Sequence, residues 1–171
     1  ECPNLPLCYP GKGDFTRYLN QEHVKAALGF PSSFVYSGIN LALNDAYVRG
    51  HDPLKPTTRE LAAVLDAYEQ PGLGSDIRVL VLNGNEDYIV NTPGQKWTYD
   101  KLHWNGQPDY RIAKWAALPA DMATPGFWKG TKDGRLVFVG IDGVGHTVVG
   151  DAREASHHIL QRWIEGGRRQ R

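Results

Sequence analysis

Two short runs of consecutive apolar residues constrain the fold of this chain more than any other feature. Val79–Leu82 and Leu136–Val139 are each four residues long and contain no polar side chain. A strand that is covered on both faces has this composition, because neither face meets water. Such strands belong to sheets that lie between layers of helices, so the two runs predict an α/β architecture with a mostly parallel sheet.

Segments whose apolar residues have the spacing of a helix lie before and after these runs. Three helices are expected, each beginning at a polar residue that can cap it: Asn20–Leu28, Thr57–Glu69 and Asp151–Glu165. In the second, Thr57 and Glu60 have the spacing of a capping box. In the third, Gly166-Gly167 is expected to end the helix. A further helix is expected to follow Asn91, with Pro93 in its first turn.

We expect the whole chain, residues 1–171, to form a single partial domain. Residues 127–141 are expected to form a hairpin around a Lys-Asp-Gly turn. Phe30–Pro56 mixes polar, apolar and turn residues and is expected to be irregular. We therefore expect residues 1–56 to hold an N-terminal clip, a helix and an irregular segment. Residues 57–171 are expected to hold the sheet and helices of the core, together with the two loops that carry the candidate Asp and His residues.

Polar loops follow both apolar runs, and ligands of open α/β sheets gather beyond the carboxyl ends of the strands. The loop Asn83–Asp87 supplies acids, and the loop Asp142–His146 supplies a histidine between glycines and a helix. A carboxylate that orients an imidazole is two-thirds of an acyl-transfer triad, and acid before histidine is the α/β-hydrolase order. The Asp and the His of these loops also have a simpler interpretation without catalysis. An Asp after a strand often forms a turn, and a His in a glycine loop is often a surface residue.

The third member of a triad is missing from the sequence. The chain has five serines, and none lies in a Gly-x-Ser-x-Gly turn: Ser32, Ser33, Ser37, Ser75 and Ser156. If the triad interpretation is right, the serine belongs to another chain. The sequence starts at Glu1 and not at a methionine, and we expect processing or proteolysis to have made that N-terminus.

Composition and spacing argue against several other classes of protein. The 19 basic and 19 acidic residues give zero formal net charge, so nucleic acid is not an expected partner. No apolar run approaches the ~18 residues of a membrane span. The six histidines lack the spacing of a zinc site, and we expect neither a metal nor a cofactor. Gly143-Val144-Gly145 lacks the third glycine of a dinucleotide loop.

The two cysteines, Cys2 and Cys8, are six residues apart. A pair this close among prolines favours a local disulfide clip, with two free thiols in a cytosolic protein as the alternative. The clip would indicate an oxidising compartment, so a secreted or vacuolar, lysosome-like location is expected.

Three collinear segments carry a resemblance over almost the whole chain. They are Cys2-x5-Cys8-Tyr9-Pro10 with Tyr18-Leu19-Asn20; Val79–Asp87 followed by Asn91, Gly94 and Trp97; and Gly145-His146 followed by Val148, Asp151 and Ala155. Together they resemble the C-terminal part of a serine carboxypeptidase, an α/β-hydrolase family. The resemblance implies a fold with a mostly parallel central sheet flanked by helices, which another chain completes.

The resemblance also implies an activity and its residues. Asp87 would be the triad acid and His146 the general base, and the enzyme would release the C-terminal residue of peptides or proteins. The serine and the oxyanion hole would lie on an N-terminal chain of the same precursor, since some members of the family are cut into two chains. Thr147 and Asn91 are expected to contact substrate.

The sequence departs from the family pattern at three places near these residues. Asn85 replaces the first acid of the family's Asp-x-Asp motif, Thr147 stands where Met or Glu is frequent, and Val149 replaces a proline. Two alternatives remain open. The same fold and triad also serve acyltransferases and hydroxynitrile lyases, and the chain could be a non-catalytic binding or interface module.

Overall fold

A computed structural model describes residues 12–67, 77–122 and 124–168. The chain divides into two compact units, Glu1–Lys55 and Pro56–Arg171, and each is described by itself. Cys2 and Cys8 lie outside the described residues, so the disulfide clip stays a prediction, as does the single partial domain.

The regular structure in the described part of the first unit consists of helices. Its helices are α1 (Lys12–Leu19), α2 (Glu22–Ala27), α3 (Leu41–Arg49) and a short 3-10 helix, Asp52–Leu54. The expectation that Phe30–Pro56 is irregular is therefore wrong for α3. The Asn40 side chain caps this helix by accepting a hydrogen bond from the Leu43 N–H at 2.9 Å. The turn residues that suggested irregular structure lie on either side of α3 and not within it.

Asn20 does not cap a helix as the sequence predicted. The helix α2 begins at Glu22 after Gln21, which makes no side-chain cap. The Asn20 amide instead accepts from the Tyr36 N–H at 2.8 Å and donates to the Tyr36 carbonyl at 2.9 Å. The Asn20 side chain therefore binds the backbone of a residue 16 positions away and does not cap the helix that local spacing predicted.

The second unit contains a four-stranded sheet and its helices. In chain order these are α4 (Thr58–Asp66), β1 (Val79–Gly84), α5 (Thr92–Lys101), α6 (Gln107–Ile112), β2 (Ala116–Ala117), a 3-10 helix (Ala120–Met122), β3 (Gly126–Gly130), β4 (Leu136–Ile141), α7 (Val148–Asp151) and α8 (Arg153–Arg168). The strand order is β1-β4-β3-β2; β1 runs parallel to β4, and the other two pairings are antiparallel. The mixed α/β class is confirmed, with one parallel pairing in the sheet as described.

The two apolar runs form adjacent strands, with Val79 opposite Leu136 and Gly84 opposite Ile141. Their side chains alternate between two cores, as the period of a strand requires. One core packs against α8, and its buried members include Val139, Ile141, Val144, Val148 and Ile159. The other contains Leu65, Leu102, Trp104, Tyr110 and Leu136. Helices therefore cover both faces of the pair, which explains why the runs contain no polar residue.

The ends of the helices differ from the prediction in three respects. Thr57 precedes α4 but makes no side-chain hydrogen bond there, so the capping box does not form. Asp151 ends α7 and does not cap α8; its carboxylate accepts from the Thr147 hydroxyl at 2.6 Å. The last helix α8 continues through Gly166 to Arg168, so the predicted glycine stop is also wrong. The packing of its apolar face against the sheet outweighs the weak local preference of glycine against helix.

The predicted end of the second helix at Glu69 lies outside the described residues, and two further local predictions are confirmed. The helix α5 starts after Asn91, whose side chain accepts from the Gly94 N–H at 2.9 Å, and Pro93 lies in its first turn. The strands β3 and β4 form the expected antiparallel hairpin. No helix in the described parts of the chain is long and apolar enough to cross a bilayer.

Candidate active site

The loop after β1 holds the Asp87 side chain in place. One carboxylate oxygen, Oδ1, accepts from the backbone N–H groups of Ile89 at 3.0 Å and Val90 at 2.9 Å. The backbone N–H of Asp87 itself donates to the Gly84 carbonyl at 3.1 Å. Only 8% of this residue is exposed. The turn therefore buries the carboxylate, fixes Oδ1 and leaves Oδ2 for another partner.

The loop after β4 carries His146. It turns at Gly143, whose φ of +72° is a left-handed conformation that glycine adopts without strain. Val144 then inserts into the core against α8, and His146 follows two residues later. The anchoring of Val144 explains how an exposed histidine can still have a defined position.

Backbone hydrogen bonds join the two loops beyond the ends of the strands. The Asn85 N–H donates to the Ile141 carbonyl, and the Glu86 N–H donates to the Val144 carbonyl, each at 2.9 Å. The β1–β4 pairing thus continues almost to Asp87 on one side and toward His146 on the other. This continuation brings together two residues that are 59 positions apart.

Asp87 and His146 are in direct contact. The His146 Nδ1 lies 2.8 Å from Asp87 Oδ2. Because the ionised carboxylate can only accept, this bond places a proton on Nδ1 and leaves Nε2 as the basic nitrogen. The Asp87 side chain is 6% exposed and that of His146 is 57% exposed, so the acid is buried beneath an accessible base.

The environment of Asp87 favours its ionised form. The hydrogen bond from the Val90 N–H is the largest cause that lowers the pKa of this carboxyl below its ordinary value. Burial opposes it, and the hydrogen bond and charge of His146 and the Ile89 N–H add to the lowering. A carboxylate that stays ionised can hold the imidazole in one tautomer and stabilise an imidazolium.

The pair can act chemically as a general base with an orienting acid. In the part of the chain that the structure describes, the one hydrogen bond of the His146 ring is to Asp87, so no described serine is paired with it. Ser156 is buried in α8 and its hydroxyl has no partner there. Nor do the described residues contain a group of three or more side chains that could hold a metal ion.

The two predicted substrate residues follow the members of this pair in the sequence, Thr147 directly after His146 and Asn91 four residues after Asp87. Thr147 follows His146, is exposed and donates its hydroxyl to Asp151 at 2.6 Å. Asn91 is exposed, and its side-chain oxygen caps α5. Both hold local structure in place, and their contact with substrate stays a prediction.

The sequence interpretation did not identify a polar network beside the pair. The buried Asn83 amide donates to the Thr92 hydroxyl at 2.9 Å, and that hydroxyl lies 3.0 Å from the Asn85 side-chain oxygen. The Asn85 amide donates in turn to Asp142. The available signal was that Asn85 and Asp142 lie in the loops that follow two strands expected in the same sheet.

Comparison with known proteins finds a family model and several proteins that this chain resembles. The family model for serine carboxypeptidases matches residues 4–166. Carboxypeptidase Y homolog A of Chaetomium globosum is 32% identical over 160 residues, which cover 94% of this chain and 27% of that protein. The homolog A of Coccidioides posadasii is 35% identical over 164 residues, covering 94% and 28%. Carboxypeptidase Y of Schizosaccharomyces pombe is 32% identical over 161 residues, covering 94% and 15%.

The chain therefore spans little more than a quarter of the first two relatives and a smaller part of the third. The family match nevertheless extends over both described units and includes both loops of the Asp87–His146 pair. On this match, the chain belongs to the serine carboxypeptidase family.

Proposed function

We propose that this chain forms the C-terminal portion of a serine-type carboxypeptidase in which Asp87 and His146 are the acid and base of a Ser-Asp-His triad. The observation that carries the proposal is the 2.8 Å contact between His146 Nδ1 and Asp87 Oδ2. The burial of the acid beneath an exposed imidazole supports it, because the imidazole must reach a nucleophile while the acid must not.

The proposed reaction uses the pair in two steps. His146 Nε2 takes the proton of a serine hydroxyl as the oxygen attacks the last peptide bond of the substrate. The imidazolium then gives that proton to the departing amino acid. In the second step His146 takes a proton from water as the water attacks the acyl-serine, and it returns that proton to the serine oxygen as the ester bond breaks and the shortened peptide leaves. Asp87 holds the tautomer and stabilises the positive ring throughout, without itself being protonated.

We place the serine and the oxyanion hole on an N-terminal chain of the same precursor. Two observations support this placement. No described serine is bonded to His146, and the relatives have most of their length outside the matched region. An intact-mass measurement of the purified enzyme tests the two-chain arrangement, because it detects a second polypeptide directly.

Substrate contacts are proposed for Thr147 and Asn91, which follow the base and the acid in the sequence. The exposed Tyr88 and Ile89 side chains add apolar surface beside Asp87, with 93% and 79% of these residues accessible. A secreted or vacuolar location is part of the same proposal and rests on the expected Cys2–Cys8 clip.

The deciding experiment measures release of the C-terminal amino acid from an N-blocked dipeptide by the whole enzyme. We expect His146→Ala to lower kcat by on the order of 10⁴-fold or more, because triad members act as a unit. The matched control is His157→Ala, which removes an exposed histidine of α8 and should leave kcat unchanged. Equal activity of His146→Ala and the parent would refute the assignment.

The products separate the alternative reactions. An acyltransferase would pass the acyl group to an added alcohol or amine in preference to water, and a hydroxynitrile lyase would release cyanide from a cyanohydrin. Labelling by a fluorophosphonate that disappears in His146→Ala would exclude a non-catalytic binding module.

A further inference from the structure

A side-chain bridge connects the two loops that carry Asp87 and His146. The Asn85 amide nitrogen donates to Asp142 Oδ1, and these residues directly follow β1 and β4. The Asn85 oxygen accepts from the Thr92 hydroxyl at 3.0 Å, so the amide uses both of its ends. The bridge thus ties the loop of the acid, the loop of the base and the start of α5 together.

The bridge requires a neutral donor at position 85. Asp142 is an acceptor when ionised, and a second carboxylate facing it would repel it. Lys96 on α5 is the cation whose charge reaches Asp142. Asp151, Arg153 and Glu154 line the same cleft as Asp142. Charges of both signs therefore surround Asp142. They would weaken the repulsion between Asp142 and a carboxylate at position 85 but would not remove it.

The backbone leaves little room for the bridge to move. A Cβ atom at Gly140 would lie 2.6 Å from the Asn85 side-chain oxygen, so β4 passes directly against this amide. Thr92, on its other side, is 8% exposed. The amide is therefore partly buried between β4 and α5, and a displacement of Asn85 would move the loop that leads to Asp87 two residues later.

We propose that Asn85 and Asp142 form a positioning pair, which keeps the Asp87 and His146 loops in register through a neutral amide. The inference deepens the proposed function and rests on it for its activity assay. Neither residue touches the reacting atoms; both act through the loops that hold the acid and the base.

The test exchanges the two side chains. Asn85→Asp places two carboxylates face to face, whereas Asn85→Asp combined with Asp142→Asn restores one amide and one carboxylate in reversed order. In the whole enzyme we expect Asn85→Asp to lower kcat about tenfold or more at pH 7, because small misplacements of catalytic groups are costly. The double exchange should restore kcat to within about threefold of the parent, because the same amide–carboxylate hydrogen bond then forms with donor and acceptor exchanged.

The pH profile distinguishes positioning from general damage. The ratio of Asn85→Asp to parent kcat should rise toward one as the pH approaches about 4, where two facing carboxyl groups can share a proton. Asn85→Ala removes both hydrogen bonds without adding a charge, so its ratio should be lowered but independent of pH. This variant also keeps the test decisive if Asn85→Asp does not fold.

A spectroscopic signal separates this inference from the proposed function. The proton of His146 Nδ1 gives a low-field NMR resonance when it is bonded to a carboxylate. We expect the signal in the parent and the double exchange and not in Asn85→Asp at pH 7. That pattern in a protein without peptidase activity would uphold the positioning pair and overturn the proposed function. An unchanged signal and an unchanged kcat ratio in Asn85→Asp would overturn the positioning pair, as would a loss that the double exchange does not restore.

Discussion

Gly84 at the end of β1 lies directly against the backbone of Gly145, the residue before the proposed base. A Cβ atom at Gly84 would be 2.2 Å from the Gly145 carbonyl oxygen and 2.4 Å from that of Val144. No side chain fits this space, so the glycine sets how closely the two loops approach.

Gly84→Ala should therefore displace the loop that carries His146. We expect the free energy of unfolding to fall by about 1 to 3 kcal/mol, as in other overpacked sites, and kcat to fall with it. The control is Gly145→Ala in the same loop, where the nearest atom to an added Cβ is 3.9 Å away. Urea unfolding and the dipeptide assay measure both variants, and equal behaviour of the two would contradict the steric explanation.

Thr92→Val removes the hydroxyl at the centre of the polar network while it keeps the shape of the side chain. The buried Asn83 amide then loses one of its two acceptors, the hydroxyl at 2.9 Å, and keeps the Gly84 carbonyl at 3.0 Å. We expect the free energy of unfolding to fall by about 1 to 3 kcal/mol. Thr98→Val on the same helix is the matched control, because its hydroxyl donates only to the Gly94 carbonyl within α5. A shift in urea midpoint no larger than that of Thr98→Val would show that the network does not stabilise the fold.

The stability contributed by Asp87 should depend on pH with a defined sign. Its pKa is lowered in the folded state, chiefly by the Val90 N–H, so the folded protein binds this proton less readily than the unfolded chain does. The contribution is then complete above the ordinary carboxyl pKa of about 4 and is lost as the pH falls through the lower folded-state value.

Paired unfolding curves of the parent and Asp87→Asn measure this contribution. We expect their difference in unfolding free energy to be constant above about pH 5 and to narrow below about pH 4. Glu86→Gln, an exposed neighbour, should show no such narrowing. A difference that widens on acidification would reverse the sign and contradict the ionised state of Asp87.

Lys129 is a buried ammonium whose charge is compensated by Asp100 at 2.6 Å. The Lys129 side chain is 4% exposed and lies over the Tyr110 ring, 4.5 Å from its centroid. Asp100→Ala leaves this charge without its partner, and we expect a loss of about 2 to 3 kcal/mol, since the acid itself is partly exposed.

Lys129→Met should be milder than Asp100→Ala, because it removes the buried charge and keeps the length of the side chain. We expect a change within about 1.5 kcal/mol. Asp45→Ala breaks an exposed pair with Arg49 and serves as the control, with an expected effect near 0.5 kcal/mol or less. Thermal melts at one pH rank the three variants, and a larger loss in Lys129→Met than in Asp100→Ala would contradict the interpretation.

Much of the site could be predicted from the sequence because its signals are local. Each apolar run specifies a buried strand, each following loop contains one residue of the Asp87–His146 pair, and adjacent parallel strands bring these loops together. The contact between Asp87 and His146 is a consequence of this arrangement. The same holds for α5, whose cap at Asn91 and proline in the first turn are both encoded within four residues.

Long-range hydrogen bonds account for what the sequence did not reveal. Asn20 has the composition of a cap, but the Tyr36 backbone binds its amide. Asp151 is a local exception, because it is expected to cap α8 but instead accepts from the Thr147 hydroxyl four residues earlier. Asn85 and Asp142 are 57 positions apart, and only the register of β1 against β4 brings them together.

The hydrogen bonds of Asn85 and Glu86 to the chain after β4 continue the sheet past its last assigned residues. Two of the three groups of the proposed triad are therefore brought together by hydrogen bonds within this region. In the proposed enzyme, the group that brings the attacking oxygen meets an imidazole that Asp87 already orients. If that oxygen belongs to a separate polypeptide, as proposed, the placement of that polypeptide against this region completes the triad.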